Sequence, residues 1–92
     1  MGPALIVYAV LSTLLQVLFW TVLINALLSW VPALTQSGDM AAVARATASV
    51  VDPLLDPIRQ RLPGAGGLDF SPLVLMLLLQ VAGAILARVA AP

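Results

Sequence analysis

Two long apolar runs without a charge frame the chain, and a more polar segment of 40 residues (32–71) separates them. From Leu5 to Val31 there are 27 uncharged residues. As a helix rising ~1.5 Å per residue, this run reaches ~40 Å, longer than the ~30 Å hydrocarbon core of a bilayer, so it must tilt or protrude. Tyr8 and Trp30 lie near its ends, where interfacial aromatics concentrate, and Pro32 marks the stop. Trp20 is mid-run, so its indole faces lipid or a neighbouring helix. The second run is uncharged from Pro72 to Ala87, and Arg88 need not end it, because an arginine near a helix end snorkels to the headgroups. The pattern predicts an all-α membrane protein: a two-transmembrane-helix hairpin spanning 5–31 and 72–90, with both termini on one side.

The segment between the runs has its own period. Met40, Val43, Thr47, Val50, Val51 and Leu54 recur at helical spacing, while Arg45, Ser49 and Asp52 fall mostly on another face. Gly38-Asp39 is expected to cap this helix, over about 39–51. Two readings fit it: an amphipathic interfacial helix lying on the membrane surface, or an alanine-rich linker helix. Asp52-Pro53 and Asp56-Pro57 follow, each Asp placed to cap a turn that its Pro begins. Each Pro also discourages helix in the residue before it. The expectation is a Pro/Gly-rich elbow over 52–71, built of jointed turns, with Asp56 and Arg59 close enough to pair. The elbow closes on Asp69-Phe70-Ser71-Pro72, read as Ser71 capping the second span and Pro72 at its first helical position.

Composition sharpens the membrane reading. The chain of 92 residues is 62% hydrophobic and 9% charged, with mean hydropathy +1.11. Ordinary soluble domains carry about 25% charged residues. Four Arg and four Asp cannot cover the surface of so small a fold in water. The apolar N-terminal run resembles a secretory signal, but it lacks the basic n-region and continues well beyond a signal core, so a retained anchor is expected. The connection carries Arg45, Arg59 and Arg61 against Arg88 beyond the second span, and positive charge favours the cytoplasm. That places the connection inside and both termini outside.

Net charge is zero, which gives no electrostatic case for nucleic acid. The sequence has no His, Cys, Lys or Glu. Thiol chemistry and the commonest metal ligand are therefore absent, and no enzyme, cofactor or metal site is expected. The four Asp residues read as helix caps and ion-pair partners. The GAGG turn lacks the lysine of a phosphate-binding loop.

Polar and small residues within the spans are the remaining candidates. Gln16 and Gln80 fall at similar depth on antiparallel helices, where they could bond to each other or to a partner subunit. Gly83, Ala87 and Ala91 form a small-residue stripe, and Asn25 with Ser29 a shorter polar pair. Each fits either hairpin packing or homo-oligomerisation. At the membrane surface, Arg59, Arg61 and Asp69 are the charges expected to contact a partner or lipid headgroups.

A long apolar span ending in ALLSW, then DPLLDPIRQRLP, a glycine turn and LDFSPLVLMLLL resembles the YggT/YlmG family of small integral membrane proteins. The resemblance rests on Asp52-Pro53, Pro57, Arg59, Leu62-Pro63, Gly67, Asp69, Ser71 and Pro72, and covers nearly the whole chain as one copy of the family's repeat. Asp56 departs from it, standing where members often carry Arg, which makes the tandem more acidic. The resemblance implies a non-enzymatic protein of the bacterial cytoplasmic (inner) membrane. It also implies loose links to cell-envelope organisation and division, osmotic tolerance and, in plastids, nucleoid distribution or cytochrome maturation. Two functions are expected from this: a scaffold or assembly factor that docks other membrane proteins, or a small oligomeric channel or transporter. The spans lack ionisable groups between Leu5 and Val31 apart from Tyr8, and between Pro72 and Ala87 altogether, which favours the scaffold.

Overall fold

The computed structural model describes residues 2–62 and 70–90, and these form three α-helices. Helix α1 runs Pro3–Trp30, a short 3-10 turn spans Pro32–Thr35, α2 runs Gly38–Arg61 and α3 runs Ser71–Ala90. The two apolar helices match the expected spans to within two residues.

Local chemistry explains where they start and stop. Pro3 takes the first position of α1, where a missing N–H costs nothing, and the Gly2 carbonyl accepts from the amides of Leu5 and Ile6. The Val31 amide still donates to the Leu27 carbonyl at 3.0 Å, but Pro32 has no amide to continue the ladder. Helix α3 begins one residue earlier than the Ser71 cap implies. The Phe70 carbonyl accepts from Leu73 and Val74, so Phe70 is the cap position and Ser71-Pro72 open the helix, both buried.

Helix α2 corrects the sequence reading in two places. Its cap is Ser37, whose hydroxyl accepts from the Met40 amide at 3.2 Å, leaving Gly38 and Asp39 in the first turn. It also does not stop at residue 51. The helix continues through Pro53 and Pro57 to Arg61, and no joint forms over 52–61. Prolines four apart share a face, and here that face is exposed. The carbonyls that lose their amide donors, those of Ser49 and Pro53, lie on exposed residues. The opposite face carries Val51, Leu55 and Ile58 at helical spacing into the core, and that burial keeps the helix whole. The glycine turn expected within 63–69 lies outside the described residues.

The core sits where the three helices meet. Val22 of α1, Val51 and Leu55 of α2, and Leu75 and Met76 of α3 are buried together, flanked by Phe19, Leu23, Ile58 and Leu79. Helices α1 and α3 run antiparallel, and α2 packs across the Trp30 end of one and the Ser71 end of the other. Away from this junction both long helices are bare. In the most apolar 18-residue window of α1 only 6% is buried, and in that of α3 only 11%. Soluble monomers rarely expose apolar patches of this extent. Both helices are long and apolar enough to cross a membrane.

Candidate functional site

Three polar features stand out against this apolar background. The first is Asn25, buried in the last third of α1 at 6% exposure. Its Nδ2 donates to the Thr47 Oγ1 at 3.0 Å and to the Ala44 carbonyl at 3.3 Å, both on α2. Thr47 in turn donates to the carbonyls of Val43 and Ala44, each at 3.0 Å. Asn25 therefore fastens α2 to α1. Ser29, expected as its companion, is exposed.

The second feature is a groove of about 250 Å³ between α1 and α3. Tyr8, Ser12 and Gln16, one turn apart on α1, line one wall, and Gln80 lines the other. Gly83 and Ala84 keep the α3 side shallow, while Leu15, Phe19 and Leu79 close the end towards the core. Gln16 and Gln80 are thus brought to one site, as their depth suggested. Among the described residues, no hydrogen bond joins them, and neither amide has another side-chain partner. Gly83 faces the groove with open space around its α-carbon: a β-carbon there would meet nothing within 4 Å. Ala87, the next residue of the small stripe, is exposed, and Ala91 lies outside the described residues.

The third feature is the outer face of α2. Because the helix is continuous, Asp52 and Asp56 do share a face, and Arg59 bridges them at 3.6 and 3.4 Å. Its guanidinium therefore stands on the outer face as part of an ion-paired cluster with both carboxylates. Arg61 is exposed, and among the described residues it makes no ion pair. Asp69 lies outside them. Arg45 and Ser49 complete the exposed polar face. Among the described residues, no three potential ligands of the His, Cys, Asp and Glu types gather to hold a metal ion.

Sequence reasoning missed two contributors. Thr47 reads as part of an apolar stripe, yet its hydroxyl receives the Asn25 amide. Ser12 carries no signal by itself, but Tyr8, Ser12 and Gln16 repeat every four residues, a period that marks the polar wall.

These features lie within the stretch that matches a known family. Residues 4–90 match the CCB3/YggT family. The chain belongs to that family. Among its relatives, the uncharacterized protein YggT of Escherichia coli K12 is 42% identical over 71 residues, covering 77% of this chain and 35% of the relative. The uncharacterized protein PA0392 of Pseudomonas aeruginosa is 37% identical over 75 residues, 82% of this chain and 36% of that protein. A Vibrio alginolyticus protein, described as lying in the proC 3′ region, is likewise 37% identical over 75 residues, 82% of this chain and 38% of its own length. This YggT-family chain thus spans little more than a third of the curated relatives it matches. No solved structure matches it.

Proposed function

We propose that this YggT-family chain is a non-enzymatic integral protein of the bacterial inner membrane that acts as a scaffold or assembly factor for other membrane proteins. In this reading α1 and α3 cross the bilayer, and α2 lies at its cytoplasmic surface. The observation that carries it is the two-sidedness of α2. One side, through Val51, Leu55 and the Asn25 bonds, is fixed to an apolar hairpin. The other presents Arg45, Ser49, Asp52, Asp56 and Arg59 outward. Exposed apolar residues Val43, Val50 and Leu54 flank the core-facing side and suit the acyl–headgroup boundary. The molecule's 47 Å long axis is close to the ~40–45 Å of a bilayer with its headgroups. The bilayer and other membrane proteins are its partners in this view; the neutral net charge gives no case for nucleic acid.

Affinity purification in native lipid tests the scaffold. A specific membrane protein should co-purify, and reversing Arg45 and Asp56 together should release it without loss of the inserted protein. Retention of the same companions after that reversal would sink the docking role of α2. The orientation is tested separately: a single cysteine replacing Arg45 should be labelled from the cytoplasmic side. The second reading, an oligomeric channel or transporter for osmotic adaptation, draws on the polar lining of the α1–α3 groove. Solute or ion flux in proteoliposomes of the pure protein would put it ahead of the scaffold.

A further inference from the structure

We propose that the groove between α1 and α3 is a self-association surface, filled by the same face of a second copy of this chain. The proposal rests on the membrane insertion of α1 and α3 argued above and goes beyond it by naming a partner for this face. In hydrocarbon no water satisfies a polar group, so an amide facing lipid is driven to find a protein partner. Ser12, Gln16 and Gln80 line the groove at hydrocarbon depth, with Tyr8 at its interfacial mouth, and among the described residues none of the three has a side-chain hydrogen bond. This contrasts with Asn25, whose Nδ2 donates to two acceptors within the chain. The groove has an open demand for hydrogen bonds and an uncharged lining that offers no counter-ion to a charged ligand.

Its chemistry selects the occupant. Hydroxyls and carboxamides each both donate and accept, so this wall is its own hydrogen-bond complement. A twofold interface, in which the same patch meets itself, needs that property. At about 250 Å³ the groove is smaller than the ~300–1,000 Å³ of ordinary small-molecule sites. It suits the ends of a few facing side chains better than a ligand. Gly83 lets a second backbone approach the floor, since nothing lies within 4 Å of a β-carbon built there.

The native chain contains no cysteine, so single-cysteine cross-linking reports contacts without background. The Gln16→Cys and Gln80→Cys chains, reconstituted in liposomes, should oxidise to covalent dimers, and the yield should persist on moderate dilution with lipid. Leu14→Cys and Ile85→Cys, on exposed faces turned away from the groove, should not. In a fluorescence-transfer assay the double change Gln16→Leu with Gln80→Leu should weaken dimerisation about tenfold, and Gly83→Leu should abolish it. Equal cross-linking at all four positions, transfer unchanged in the double variant, or a native-membrane cross-link to a different polypeptide would overturn the proposal. Carbonate extraction separates the two readings: a chain released from the membrane defeats insertion and the proposal together, whereas an inserted chain that stays monomeric defeats only the proposal.

Discussion

Asn25 shows how much a single side chain decides in an apolar fold. It is buried, uncharged and bonded to two groups on another helix, so its removal leaves the Thr47 oxygen without that donor. Asn25→Ala should destabilise the protein by about 1–3 kcal/mol in reversible unfolding in mild detergent. Ser29→Ala, at an exposed position, should change it by less than about 0.5 kcal/mol. A double-mutant cycle of Asn25→Ala with Thr47→Val should return a coupling of about 0.5–1.5 kcal/mol; strict additivity would show that the bond contributes nothing. Asn25 was legible in the sequence as a polar candidate for helix packing, paired there with Ser29. Its partner was not, because helical spacing says which residues share a face and not which helix that face meets. Gln16 and Gln80 were legible as a pair at one depth for the opposite reason: a hairpin of known span lengths already sets the register between its arms.

Helix α2 marks the element where local rules and tertiary packing disagree. Taken alone, two Asp-Pro steps argue for a break, and each interior proline costs a helix about 3 kcal/mol relative to alanine. Yet Val51, Leu55 and Ile58 continue one apolar face past both prolines, and that face is occupied by α1 and α3. Burial wins because the prolines point the other way. Pro57→Ala should therefore leave the helical content intact and raise stability by about 1–3 kcal/mol, read by circular dichroism and unfolding; loss of helix would show that the proline shapes α2 instead. The Arg59 bridge contributes less. Its groups are 38–61% exposed, and pairs of that kind contribute about 0–1 kcal/mol. Arg59→Gln should accordingly have a small effect on unfolding, and a smaller one in high salt.

At the scale of the whole molecule, two apolar helices joined by a polar connection were readable from charge and run length alone. The docking of the third helix was not, since the residues that achieve it look like an ordinary amphipathic period until α1 and α3 are seen beneath them. Leu55 tests this junction. Fully buried between three helices, it should cost about 2–5 kcal/mol when cut back to alanine. Leu14→Ala, on an outward face of α1, should cost far less in a bilayer, where lipid fills the space; equal losses would mean that α2 does not seal a core. The three-way junction also has a temporal side. A nascent chain gains α1 and α2 first, and Asn25 can clasp Thr47 while α3 is still unmade. Until Leu75 and Met76 emerge, Val22, Val51 and Leu55 form an unfinished pocket. Helix α3 is thus the lid of a core begun by the helices before it, and a chain stalled before Ser71 would present the cell with a half-closed apolar cleft, the kind of surface that chaperones and membrane proteases recognise.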